Sequence, residues 1–352
     1  MFQLIIIRRI RMDRNHEVVN KQMLLDEYGE LMEPGWSRRL VQKYDRNMIK
    51  APKWRIKEWD YYLVLSDGFG AAFTISDDGY IGLQSVSLLC FGEKPWEHTE
   101  TVLNAFPMGK IGLPQDSSFG VTEYKNKRLH MKFTVGKGFR RIQCIFKSFH
   151  EGKTLKCDIH LQQPDMDTMV IATPWDKRHA FYYNQKINCM RASGYVQFDG
   201  KCYEFNPVTD FGTLDWGRGV WTYDNTWYWG SGNADLDGNT FGFNIGYGFG
   251  NTGAATENVI FYNGKAHKLD DVEFHIPESG YMDPWRFTSS DGRFEMDFVP
   301  VLDRAANLDF KVIVSDQHQV FGRMSGTVIL DDGKQINVRD MMCFAEKVHN
   351  RY

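Results

Sequence analysis

The chain has 352 residues and a formal net charge of −3, with 42 Lys and Arg against 45 Asp and Glu. That length exceeds what one hydrophobic core usually organises, so two lobes are expected. The near-neutral balance carries no electrostatic footprint for nucleic acid, and the basic pairs Lys127-Arg128 and Arg140-Arg141 stand alone within strand-like sequence.

At the amino end, the apolar run Phe2-Gln3-Leu4-Ile5-Ile6-Ile7 precedes its arginines. A secretory signal has the reverse order, and the run is far shorter than the roughly 20 residues of a membrane span. Translation is expected to start at Met12, and the protein to be cytoplasmic with no integral membrane segment. Residues 1–53 read as an N-terminal arm. Within it Trp36, Leu40 and Tyr44 lie four apart, which predicts one short amphipathic helix over 36–48.

From Tyr61 onward the pattern changes to period two. Seven Asp-Gly or Asn-Gly pairs punctuate the chain, among them Asp199-Gly200, Asp237-Gly238, Asn263-Gly264 and Asp332-Gly333. Such pairs accept the positive φ angles of tight hairpins, and several separate alternating runs: Val196 and Phe198 before a turn, Tyr203 and Phe205 after it. The fold class is therefore mostly β. Two consecutive antiparallel barrels or sandwiches, packed side by side, are expected. The first lobe should cover 54–174, where Thr173-Pro174-Trp175-Asp176 breaks the pattern, and the second 175–352.

The six cysteines are widely spaced with no Cys-x-x-Cys, and the histidines have no metal-ligand spacing, so neither a disulfide framework nor a metal or other cofactor is expected. The Gly-x-Gly run over 242–250 alternates glycine with aromatics, which suits a curved strand rather than a phosphate loop.

The most informative segment runs from Asp215 through Trp216, Arg218, Trp221, Tyr223, Trp227 and Trp229 to Gly232. Indole buries a large apolar area and still carries an N–H that wants a partner, so clustered tryptophans point to a pocket wall or to the interface between lobes. A three-residue turn over 224–226 would set Trp221 opposite Trp229 and Tyr223 opposite Trp227, all on the face of Asp215. A carboxylate among indoles would hold its proton to higher pH, as a general acid requires; Arg218 is the alternative, a partner that neutralises Asp215. Glu257 and Glu346 share parity with apolar neighbours. Each needs a function or a cation, for which Arg286, between Trp285 and Phe287, is the candidate. Asn251 and Asn258 are candidate neutral ligand-orienting groups. Catalytic candidates are thus Asp215, Glu257 and Glu346. Ligand-binding candidates are Trp216, Arg218, Trp221, Tyr223, Trp227, Trp229, Asn251, Asn258, Trp285 and Arg286.

Phe181-Tyr182-Tyr183-Asn184-Gln185-Lys186, Asp215-Trp216-Gly217-Arg218-Gly219, Ala255-Thr256-Glu257-Asn258, Asp283-Pro284-Trp285-Arg286, His318-Gln319-Val320-Phe321-Gly322 and Phe344-Ala345-Glu346-Lys347-Val348 together resemble the bacterial domain-of-unknown-function 2804 family over nearly the full length. That resemblance implies no established activity. More distantly, the order of two halves with an Asp/Trp-Gly segment is similar to the carotenoid 1,2-hydratase and AttH-like group, which implies two calycin (lipocalin-like) lobes and an apolar isoprenoid- or polyketide-like ligand. It also implies Asp215 as the acid, although here Asp215 directly precedes Trp216-Gly217, where that group has two intervening residues. Three functions compete at this point: acid-catalysed hydration, isomerisation or cyclisation of an apolar small molecule; a non-catalytic carrier of such a molecule; and carbohydrate binding or cleavage by paired carboxylates.

Overall fold

The computed structural model describes residues 14–309 and 314–351; the expected start at Met12 lies outside them. The protein is built of two large antiparallel sheets, each curled into a half-barrel, and a short strand pair in the arm. Three of the tight turns have both residues at positive φ: Asp199-Gly200, Asp237-Gly238 and Asn263-Gly264. Each joins neighbouring strands in a hairpin.

The first sheet has thirteen strands. Its main path runs Trp96–Ala105, Ile81–Cys90, Phe69–Asp77, Ile56–Leu65, Phe211–Val220, Phe181–Phe198, Lys153–Gln162, Phe139–His150, Leu129–Gly136 and Gly120–Lys125. The curl brings the two ends of this path together, where Asn104 Nδ2 donates to the Tyr124 hydroxyl at 2.9 Å. The second sheet has nine strands between Asp224 and Arg351, with the last strand, Gln335–Arg351, inserted at its centre beside Asp224–Leu236. Each half-barrel encloses its own apolar core, and a third cluster, including Trp36, Tyr61, Tyr182, Trp221, Trp229, Phe249, Phe321 and Phe344, fills the interface between them.

Strand pairing changes sheets later than the expected boundary at 174/175. Met169–Pro174 turns back as a hairpin onto Phe181–Lys186, and Phe211–Val220 pairs with Ile56–Leu65 over ten residues, so the sheets part between Val220 and Asp224. The aromatic segment is consequently divided between sheets, and the expected hairpin across 224–226 does not form. The helix over 36–48 is also corrected: among the described residues the only helical turns are 3₁₀, at Arg46–Met48 and Lys53–Arg55. Gly35–Ser37 is instead a strand on Met169–Pro174. Trp36 enters the interlobe cluster, Tyr44 lies in the first core and half-buried Leu40 packs against that core, so the three do not share one helical face. Among the described residues no helix is long and apolar enough to cross a membrane, and no group of three or more His, Cys, Asp or Glu is placed to hold a metal ion.

Candidate functional site

Successive side chains of a strand point to opposite faces, and that alternation sorts the Asp215 segment. Leu214, Trp216 and Val220 lie in the first-lobe core. Trp216 packs edge-on against Tyr44 and Tyr183, and the Arg218 guanidinium carbon sits 4.2 Å from its ring centroid. Arg218 pairs with Asp60 at 3.0 Å and also donates to the carbonyls of Trp59, Gly217 and Pro114. Neither Trp216 nor Arg218 therefore belongs to a pocket with Asp215, and Arg218 does not neutralise it.

Asp215 faces the second lobe. Its Oδ1 is 2.9 Å from Lys186 Nζ and accepts from Asn184 Nδ2 at 2.5 Å. Lys186, 1% exposed, is its cross-strand neighbour. The same ammonium lies 3.9 Å from the ring centroid of Trp229, which belongs to the other sheet. A cation held between a carboxylate and an indole face is favoured by both contacts. Trp229 Nε1 in turn donates to Asn244 Oδ1 at 2.7 Å, and Asn244 Nδ2 to the Glu257 carbonyl at 3.0 Å. Glu346, opposite Trp229 in the second sheet, accepts from Trp227 Nε1 at 3.0 Å and from Gln319 Nε2 at 2.8 Å. Burial pushes its pKa up, and the two hydrogen bonds hold it back.

Glu257 is different. It is fully buried, and neither carboxylate oxygen has a formed hydrogen bond. Burial pushes its pKa up to about 7; Lys186 and Lys268 oppose the rise and Asp215 adds to it. The Tyr182 hydroxyl opposes the carboxylate without the geometry of a formed hydrogen bond. Burial, then the charges of Glu257, Asp215 and Glu346, hold that phenol well above its ordinary value. Glu257 lies against Gly246, where a Cβ would collide with Oε1. Its flanking residues Thr256 and Asn258 line, with Gly246, Tyr247, Val272 and Glu273, a cavity of about 360 Å³ that opens on one side. Lys268 Nζ, whose pKa burial lowers to about 7, clamps the same stretch by donating to Thr256 Oγ1 and the Asn258 carbonyl, both at 2.7 Å.

An aromatic wall surrounds this polar centre. Tyr182 stacks on Phe249 with centroids 4.9 Å apart, and Trp221 meets Trp59, Tyr182 and Trp227 edge to face at 5.3–5.9 Å. The indole N–H groups of Trp221 and Trp175 are buried without a partner. The remaining candidates are exposed, packed in the second-lobe core or spent on backbone partners. Tyr223 is exposed in the link between sheets. Asn251 is exposed and its Oδ1 accepts from Gly253 N, ordinary turn chemistry. Asn258 is buried and spent on Gly246 N and the Asp270 carbonyl. Trp285 lies in the second-lobe core with its N–H on the Tyr281 carbonyl. Arg286 is exposed near Glu295 and Asp297, so it serves neither Glu257 nor Glu346.

Sequence reasoning missed Tyr182, Asn184, Lys186 and Gln319 as functional groups. Tyr182, Asn184 and Lys186 share one parity, and a period-two row of polar groups in an otherwise apolar strand was the available signal. It is obscured because residues 181–190 are buried on both faces, where alternation disappears.

A family profile described as a domain of unknown function, DUF2804, matches residues 15–352. The chain belongs to that family. No curated protein sequence matches this DUF2804 protein. Among solved structures, kievitone hydratase from Nectria haematococca is similar over 94% of this chain and 98% of its own, at 9% identity and a TM-score of 0.46. An AttH-type protein from Nitrosomonas europaea is similar over 87% of this chain and 95% of its own, at 12% identity and a TM-score of 0.43.

Proposed function

We propose that the cavity flanking Glu257 in the second lobe of this DUF2804 protein binds an apolar small molecule of isoprenoid, lipid or polyketide type, and that Glu257 protonates it, leading to hydration, isomerisation or cyclisation. The observation that carries this reading is the state of Glu257: a fully buried carboxyl group beside the Tyr182 phenol, with neither oxygen hydrogen-bonded and a pKa of about 7. A proton donor works best when its pKa lies near the working pH, since it is then both present and willing to transfer. Asp215, the acid expected first, is engaged by Lys186 and Asn184. Its role is to hold the Lys186 cation against Trp229 and, through its own charge, to keep the Glu257 proton in place. No metal or nucleotide is needed for such a step.

The pairing of Asp215 with Lys186 also favours a second reading, in which the site carries its ligand unchanged. Native mass spectrometry of the purified protein, with extraction of any bound hydrophobe, separates the two. An altered product from wild type, and unaltered ligand bound by Glu257→Gln, is the expected result. Identical chemistry in wild type and Glu257→Gln removes the acid role; a bound but never altered molecule leaves the carrier.

A further inference from the structure

The cavity beside Glu257, about 360 Å³ in volume, lies between the end of the strand Asn239–Tyr247 and the edge strand Val272–His275. The two strands meet through the rings of Tyr247 and Phe274, edge to face at 5.6 Å. Asp271 and Glu273 belong to the cavity wall, and among the described residues that line it none is lysine, arginine or histidine. We propose that the ligand of this cavity is an amphiphile with a cationic nitrogen, its ammonium group seated at the mouth beside Glu273 and Tyr247 and its apolar body inside. This deepens the reading above and rests on it, since a small molecule must occupy the cavity in the first place.

Two neutral groups of the wall are already spent within the protein. Asn258 Nδ2 donates to the Asp270 carbonyl at 2.8 Å, and its Oδ1 accepts from Gly246 N at 2.7 Å. Thr256 Oγ1 donates to the Leu269 carbonyl at 3.0 Å and accepts from Lys268 Nζ at 2.7 Å. Recognition at the mouth therefore falls to the two carboxylates, which when ionised only accept hydrogen bonds; the ligand has to bring the donors. The cations nearby are committed. Arg14 pairs with Asp270 at 2.8 Å and with Asp271, and Lys268, behind the wall, is held by Thr256 and the Asn258 carbonyl. Glu273 is exposed and has no ion pair among the described residues. It lies close enough to Tyr247 to add to the rise that burial imposes on that phenol, and Tyr247 stacks on Tyr228 with centroids 4.5 Å apart. A carboxylate beside an aromatic face favours an ammonium group through both contacts. At the inner wall, the unpartnered Glu257 carboxyl group sits against Gly246, Oε1 occupying the place of a side chain.

Titration calorimetry of the full chain at pH 7 with n-octylamine, n-octanol and n-octanoate, each below its micellar concentration, tests this directly. Octylamine is expected to bind about tenfold more tightly than octanol, with octanoate the weakest. Glu273→Gln, at an exposed position, should reduce octylamine to the affinity of octanol. Thr252→Trp, which fills the cavity from its half-buried wall position, should abolish binding of all three. If octanol binds the wild type as tightly as octylamine, or if the preference for octylamine survives both Glu273→Gln and Asp271→Asn, the cationic head is refuted while the small-molecule reading of the cavity stands. Failure of every probe to bind, or binding that Thr252→Trp leaves untouched, overturns both. Should a variant fail to fold, the comparison of the three probes on the wild-type chain decides alone.

Discussion

Two buried polar clusters lie back to back on the Phe211–Val220 strand, and they are completed in opposite ways. On the first-lobe face, Arg218 has a carboxylate and three carbonyls, every one within hydrogen-bond distance of its terminal nitrogens. On the interlobe face, Asp215 and Lys186 complete one another, while Glu257 and Tyr182 next to them are buried with no formed hydrogen bond. Where the charges are paired, the cluster specifies which strands meet; where a buried acid has no formed hydrogen bond, the fold holds a group in readiness for something that is not protein.

The contrast can be broken from either side. Arg218→Met should do the most damage, because it leaves Asp60 buried with Thr122 as its remaining hydrogen-bond donor. Losing one partner of a buried ion pair costs about 3–5 kcal/mol, and urea unfolding should show a loss of that size. A loss below about 1 kcal/mol, the range of an exposed pair, would mean that the first-lobe cluster is not the matched scaffold described.

Glu257→Gln should act in the other direction and should depend on pH. The folded-state pKa of Glu257, about 7, stands above the ordinary 4.5, so between those values the folded protein keeps a proton that the unfolded chain releases. Stability of the wild type should therefore be fully present below pH 4.5 and fall as pH rises to about 7, by on the order of 3 kcal/mol from this group. The glutamine variant should lack that slope and be the more stable of the two near pH 7. Equal slopes in both proteins would show that Glu257 is matched after all. Lys268, depressed to about 7, contributes a gain in stability above that pH, outside the window used. The smallest effect belongs to Arg286→Ala: its side chain is 59% exposed, with acids no closer than 3.6 Å, so unfolding should change by no more than about 0.5 kcal/mol.

Much of this was legible before any coordinates. Period-two runs around Asp-Gly and Asn-Gly turns declared the strands, and three hairpins formed where both turn residues could take positive φ. The acids Asp215, Glu257 and Glu346 stood out as carboxylates in apolar surroundings, and all three are buried. Their partners were not legible. Arg218 was the alternative that would have neutralised Asp215, but it has the opposite parity, and odd separation on a strand sends side chains to opposite faces. The cation that does meet Asp215, Lys186, comes from a neighbouring strand 29 residues earlier. Trp285-Arg286 was expected to reach the buried glutamates, but its strand lies near the far edge of the second sheet.

What the sequence by itself determined was local: turn positions, strand character, and which residue types would be expensive to bury. Those follow from φ preferences and from the pleat, which act between neighbours along the chain. Only the tertiary structure decided where one sheet ends and the next begins, which cation meets which acid, and that Glu257 would be left without one. Such outcomes depend on pairings between strands far apart in sequence, chosen by the register of whole sheets rather than by any residue's own chemistry.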